Sequence, residues 1–259
     1  MIRVDRGQEP SDLPAVRAES LKVALAKHLS QQEIDRVKDL PDSYRTYAER
    51  LWQAQHLKCA YCEMLEQVKR NDVEHFRPAG RAMRAKGDSA PGYWWLAYTW
   101  SNLLFSCRNC NQSGGKLDWF PLEPGSVPLA PLEDPPGGEL ATLVDPANES
   151  PLDHIEFTHQ LVENRSRWIP RGKSPRGQRT VQILDLTRVS LTELYSQHVT
   201  TTVQPAVTQL QNGQIRLEQL CDWLLRPSVP FVALSIAAIS QLLGVPSGQF
   251  VSAAKRRGC

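Results

Sequence analysis

Residues 58–62 read KCAYC, and residues 100–116 read WSNLLFSCRNCNQSGGK. Each stretch carries one Cys-x-x-Cys pair, Cys59/Cys62 and Cys107/Cys110. A two-residue spacer turns both sulfurs toward one ion, so two such knuckles make a natural tetrahedral four-thiolate zinc site. Forty-four residues lie between Cys62 and Cys107, too many for a simple zinc ribbon, so further structure sits between the knuckles. A redox Cys-x-x-Cys, or four unrelated core cysteines, is the competing reading, and two pairs in one short block weigh against it.

The intervening residues add chemistry. Val73-Glu74-His75-Phe76-Arg77-Pro78 places an acid beside a histidine on an expected strand that ends at a turn-forming proline. Neighbouring strand residues point to opposite faces, so Glu74 and His75 serve one site only on a twisted or bulged strand. A second short strand, expected within Trp100 to Cys107, is opened by Asn102, and Cys110-Asn111 stands at the start of an expected helix. Taken singly, His75 reads as a partly buried core histidine and Asn111 as a cap.

The order acid–histidine, Asn102, Asn111 between cysteine knuckles resembles the HNH nuclease family, whose ββα-metal motif presents these residue types in this sequence. Trp94-Trp95-Leu96-Ala97-Tyr98, Phe120-Pro121-Leu122, Leu143-Val144-Asp145-Pro146, Pro151 to Phe157 and Thr180 to Arg188 extend the likeness. They are similar to the subfamily found as the nuclease subunit of Septu antiphage systems and beside some retrons. The similarity spans roughly residues 58 to 195.

The resemblance implies a division of labour between two metals. Zinc on Cys59, Cys62, Cys107 and Cys110 is structural, since four thiolates leave no open position. Catalysis needs a hard cation, Mg²⁺ or Mn²⁺, held by Glu74 and Asn111. His75 is the general base, and Asn102 orients the imidazole or the loop around it. The substrate is DNA, with RNA also open. An ATPase subunit of a defence complex is the expected partner, because the chain has no G-x-x-x-x-G-K-[ST] phosphate loop. A zinc-stabilised binding module without catalysis is the alternative from another class.

Two departures from the family pattern stand out. Many HNH enzymes have aspartate where this chain has Glu74. Lysine often follows the second asparagine by three residues, whereas Gly114-Gly115 delay it here to Lys116. Lys116 reads equally as a phosphate contact or a solvated residue. Arg77 beside His75, and Arg171, Lys173 and Arg176 in a basic run from Arg165 to Arg179, are the other candidate phosphate contacts. Pro170, Gly172, Pro175 and Gly177 break that run and suggest a flexible loop.

Around this centre the composition is that of an ordinary globular chain: 259 residues, 41% hydrophobic, 22% charged, net charge +2. So small a net charge excludes binding to nucleic acid by bulk electrostatics, but leaves room for a local basic cleft. The expected fold class is α+β, mainly helical: a small ββα core with its four-cysteine zinc site, flanked by N- and C-terminal helices. Residues 1–57 read as helices, with one from Pro14, a short one around Gln31 to Leu40, and a third from Asp42–Ser43 to Leu57. Residues 58–122 form the core, and 123–185 a Pro/Gly-rich and basic connection containing a short hairpin at His154–Trp168. Residues 186–259 are helical, with a capping box at Ser190–Glu193, a kink or a split in two at Pro205, and helices at Gln214–Leu225 and Phe231–Leu243. Cys221 reads as a core residue and Cys259 as a mobile terminus. Tyr93, Trp94, Trp95 and Trp100 read as core rather than as base-stacking platforms. The apolar run Phe231–Val245 is interrupted by Ser235, Ser240 and Gln241, and MIRVDRGQEP has no apolar core, so a cytoplasmic, non-membrane protein is expected; the resemblance implies a hetero-oligomer.

Overall fold

A computed structural model describes residues 1–29, 42–112, 114–162 and 165–259. The helix expected around Gln31 to Leu40 lies outside these residues. The fold is α+β with small two-stranded sheets, and the chain divides into two compact units, neither of them one continuous stretch of sequence.

One unit comprises Asp5–Ala54 and Glu66–Leu143. It opens with helix α1 (Leu13–Leu29), and after the undescribed residues a 3₁₀ turn (Asp42–Tyr47) leads into α2 (Ala48–Ala54). Strand β1 (Asp72–His75) is followed by a hairpin of β2 (Arg81–Ala85) and β3 (Asp88–Pro91), then β4 (Leu103–Ser106) and the helical turn α3 (Arg108–Asn111). β1 pairs antiparallel with β4, with Val73 opposite Phe105 and His75 opposite Leu103. Leu103, Leu104 and Phe105 are all fully buried, so both faces of β4 are core. That is why these residues read as a continuous apolar run rather than an alternating one. Helix α2 closes one side through fully buried Leu51, and the Arg6 guanidinium donates to the Leu103 carbonyl at 2.9 Å. The aromatic residues between the strands are core as expected. Tyr93, Trp94, Trp95 and Trp100 are buried, and Trp94 packs edge-on against Trp95 at 5.6 Å.

The other unit comprises Met1–Val4, Gln55–Leu65 and Val144–Cys259. Its hairpin, β5 (Ile155–Val162) with β6 (Arg165–Gly172), is followed by α4 (Pro175–Ile183), α5 (Val189–His198), α6 (Gln204–Gln211), α7 (Leu217–Leu224), α8 (Val232–Leu243) and α9 (Gly248–Arg256). The Arg165–Arg179 stretch is therefore strand and helix, not a flexible loop. Its glycines serve close approach: a Cβ on Gly177 would lie 1.9 Å from the His154 carbonyl oxygen, and Ser174 caps α4 by accepting from Gly177 N–H. α5 starts at Val189 with Arg188 at its cap and no side-chain cap bond, so the box expected at Ser190–Glu193 does not form. Pro205 sits in the first turn of α6, immediately after a π-helical segment (Val199–Val203), where its missing N–H is accommodated without a break. Cys221 is core. Cys259, expected to be mobile, is buried, its thiol donating to the Leu225 carbonyl at 3.5 Å. No helix among the described residues is long and apolar enough to cross a membrane.

Candidate active site and metal centre

The two knuckles are local turns. Glu63 N–H donates to the Cys59 carbonyl at 3.1 Å and Cys59 N–H to the Met64 carbonyl at 3.0 Å. In the second knuckle both Cys110 and Asn111 N–H donate to the Cys107 carbonyl at 3.0 Å. The Sγ atoms of Cys59, Cys62, Cys107 and Cys110 all lie within 4.8 Å of one another, and all four residues are buried. A tetrahedron with Zn–S bonds of ~2.3 Å has its sulfurs about 3.8 Å apart, within the observed limit. Four buried thiols, each able to ionise on binding, are a fitting donor set for zinc.

Beside the second knuckle the chain folds back through Gly115, where a Cβ would lie 2.5 Å from the Cys110 carbonyl oxygen. Lys116 N–H then donates to that same carbonyl at 2.8 Å. This return carries the Lys116 side chain inward. Its ammonium lies 2.6 Å from Glu74 Oε1 and donates to the His75 carbonyl at 2.9 Å, and it has no exposed surface. Lys116, read from the sequence as a phosphate contact or a solvated residue, is neither. The two glycines that delay it along the chain allow this close return.

Arg77 is likewise turned inward. It is buried, ion-paired to Glu139 at 2.7 Å, and lies over the rings of Phe76 and Phe120. Glu139 also accepts from the Tyr93 hydroxyl. Of the three candidates on the basic run, Arg176 is held bidentately by Glu149 at 2.7 and 2.6 Å, and Lys173 donates to the Leu152 carbonyl. Arg171 is exposed.

His75 and Asn111 line a cleft of about 640 Å³, together with Tyr44, Asp72, Glu74 and residues from the turns around them. His75 is buried at the cleft wall, and its Nε2 lies 2.9 Å from the Ala97 carbonyl oxygen. A carbonyl only accepts, so Nε2 carries the proton and Nδ1 keeps the lone pair. Burial lowers the His75 pKa to about 4, so the ring is neutral at working pH. Tyr44 packs edge-on against the imidazole at 4.7 Å.

Asn102 is a clamp. Its Oδ1 accepts from Arg77 N–H at 2.8 Å, and its Nδ2 donates to the Arg77 and Leu96 carbonyls at 3.0 and 3.2 Å. It also accepts through its own carbonyl from Phe76 N–H at 2.9 Å. These bonds fix the chain leaving His75. Asn102 closes a 3₁₀ turn, Trp100–Asn102, immediately before β4.

Asn111 is the last residue of α3, whereas the sequence placed the pair Cys110-Asn111 at the start of a helix. Its Nδ2 donates to Asp72 Oδ2 at 3.3 Å, and Gln112 donates to the same oxygen at 2.9 Å. Asp72 is a cleft residue that the sequence reading overlooked. It lies two residues before Glu74 on β1, and the strand period of two was the signal that could have found it. The oxygen-bearing groups Asp72, Glu74 and Asn111 line one cleft and suit a hard cation rather than a second zinc.

In sequence the chain is similar to Septu proteins, and more particularly to PtuB. It is 31% identical over 204 residues to Septu protein PtuB of Bacillus mycoides (strain KBAB4), a match covering 74% of this chain and 65% of that relative. It is 27% identical over 134 residues to Septu protein PtuB of Bacillus thuringiensis, covering 51% of this chain and 37% of the relative. A further match, 25% identical over 142 residues, is to Septu protein PtuA of Bacillus mycoides (strain KBAB4), covering 54% of this chain and 19% of that protein. The chain thus spans just under two thirds of the first of these relatives and less of the others. No family model matches the chain, and no solved structure matches it.

Proposed function

We propose that the chain is a metal-dependent HNH endonuclease that hydrolyses phosphodiester bonds of DNA, acting as the nuclease component of a Septu-type antiphage complex with an ATPase subunit. The observation that carries this reading is the convergence on one cleft of a neutral histidine and a set of oxygen ligands, beside a four-cysteine cluster. The antiparallel pair β1/β4 followed by α3 supplies the strand–strand–helix order on which such a site is built.

His75 has the right form for a general base. Its Nε2–H is committed to Ala97, so Nδ1 is the atom that takes a proton from water. Asn102 holds the backbone that follows it, and Tyr44 limits rotation of the ring. Glu74 and Asn111 would hold Mg²⁺ or Mn²⁺, which would supply charge stabilisation at the phosphate. Lys116 fixes the Glu74 carboxylate, and Asp72 fixes the Asn111 amide with its Nδ2 toward the acid. The four cysteines would hold zinc, which would tie the knuckles together and take no part in the chemistry.

One observation favours a second reading. Glu74 is already neutralised by a buried ammonium, as suits a zinc-stabilised binding module without catalysis. A plasmid assay separates the two. Supercoiled DNA incubated with freshly purified protein, alone and with its ATPase partner, should be nicked or linearised when Mg²⁺ or Mn²⁺ is added and left intact without it. No cleavage under any of these conditions would favour the binding module.

A further inference from the structure

A divalent cation needs net negative charge as well as oxygen ligands, and the acids on the cleft differ in how much of their charge is left to attract one. Glu74 and Lys116 form a buried pair, with Nζ 2.6 Å from Oε1, so together they carry no net charge. Asp118 is paired with Arg81 at 3.1 Å. Glu49 is exposed, as are the lining cations Arg45, Lys69 and Arg108, and solvent screens all four.

Asp72 is the exception. It is half-buried, and its Oδ2 accepts from two neutral amides, Asn111 Nδ2 at 3.3 Å and Gln112 Nε2 at 2.9 Å. Among the described residues it has no cationic partner, and its Oδ1 has no hydrogen-bond donor. Asn111 Oδ1 likewise has no donor among the described residues. The carboxylate is held in place from two sides. Its own residue opens β1 opposite Ser106 on β4, and the Asn71 side chain just before it accepts from Arg108 N–H at 3.2 Å, tying β1 to α3. Glu74 lies two residues further along β1, the spacing that puts both acids on one side of a strand.

We propose that Asp72 is a ligand of the hard cation, its Oδ1 supplying the net charge that Glu74 has already given to Lys116. This rests on the reading of the cleft as a hard-cation site. On this assignment the neutralised Glu74 is no obstacle to a cation, because the attracting charge sits two residues earlier on the same strand. The amide donors Asn111 and Gln112 fix the plane of the carboxylate and leave its charge intact.

The test is Mn²⁺ binding to the freshly purified full-length protein without nucleic acid, read from the electron paramagnetic resonance signal of free Mn²⁺, so that no cleavage enters the measurement. Asp72→Asn keeps the size of the side chain and an acceptor for the amides, but removes the charge. It should weaken Mn²⁺ binding at least about 10-fold, since loss of even an outer-shell partner costs about 10–100-fold in metal affinity. Asp118→Asn removes an acid already paired with Arg81 and should leave the affinity unchanged. The swap Asp72→Asn, Asn111→Asp returns a carboxylate to the same pair of positions and should recover most of the loss. Asp72 is half-buried and makes no ion pair among the described residues, so zinc content and melting temperature should be retained throughout.

Wild-type affinity in Asp72→Asn, an equal loss in Asp118→Asn, or no Mn²⁺ binding by the wild type overturns the proposal. A swap that recovers nothing also overturns it, by showing that Asp72 acts through the placement of Asn111 and not through its charge. The outcomes separate this assignment from the nuclease reading. Wild-type protein that cuts plasmid while Asp72→Asn binds Mn²⁺ normally refutes the ligand alone. Binding lost in Asp72→Asn, with no cutting by wild type, refutes the nuclease reading alone.

Discussion

Replacing Lys116 by methionine keeps the length of the side chain and removes its charge. In the fold that ammonium is fully buried, 2.6 Å from Glu74 Oε1 and 2.9 Å from the His75 carbonyl oxygen. The substitution leaves a buried carboxylate facing an apolar methyl group, and breaking a buried ion pair from one side costs about 3–5 kcal/mol. Loss of the bond to the His75 carbonyl adds about 1 kcal/mol. Since a domain is stable by only about 5–15 kcal/mol, Lys116→Met removes a large part of the total. Adding Glu74→Gln removes the stranded charge. The double variant should recover most of the loss, with a coupling energy of at least about 2 kcal/mol in the mutant cycle. Equilibrium urea unfolding at neutral pH, in reductant and with zinc present, measures all four corners, and equal m-values across them license the comparison. A Lys116→Met cost below about 0.5 kcal/mol, with no coupling to Glu74→Gln, would show that the lysine faces solvent. That result would return Lys116 to the role of a phosphate contact and remove the constraint on Glu74.

Two further outcomes follow from the same geometry. Metal analysis of reduced protein should give one zinc per chain, and Cys59→Ser or Cys110→Ser should abolish stoichiometric zinc and lower the melting temperature; zinc-free wild-type protein with unaltered stability would remove the four-cysteine site. Burial raises the Glu149 carboxyl pKa, but the Arg176 guanidinium and Asp145 N–H outweigh burial and hold it below the usual value. A lowered folded-state pKa means that stability is present above the unfolded value and lost as pH falls through the folded one. The stability difference between wild type and Arg176→Gln, on the order of 1 kcal/mol for so partly exposed a pair, should therefore be full at neutral pH and vanish in acid. A difference that persists in acid would show that the pair acts by packing alone.

The centre of this protein was legible in its sequence because its signals are local. Cys-x-x-Cys spacing determines the knuckles, and the turn-forming proline after Arg77 marks the end of the stretch that carries β1. The apolar run Leu103–Phe105 marks a strand buried on both faces. Which basic side chains remain outside was not legible. Lys116 turns inward because Gly115 lets the backbone return to Cys110, and Arg77 because Glu139, sixty-two residues later, offers a buried carboxylate. Such pairings depend on chain return, not on neighbouring residues. The run Arg165–Arg179 misled for a related reason: its prolines and glycines looked like loop punctuation, but Gly177 instead permits close packing on His154. Asp72 shows the reverse case, a signal present in the strand period but passed over because the adjacent pair Glu74-His75 drew the assignment.

The proposed role of His75, neutral and with Nδ1 available, is to remove a proton from water in phosphodiester hydrolysis. The most direct measurement is the rate of supercoiled-plasmid conversion by His75→Ala against wild type, with Mg²⁺ or Mn²⁺ at saturating enzyme. Loss of a general base predicts a rate lower by about 10²–10⁴-fold, with zinc content and melting temperature retained. Cleavage at the wild-type rate would contradict the assignment and place the chemistry elsewhere in the protein.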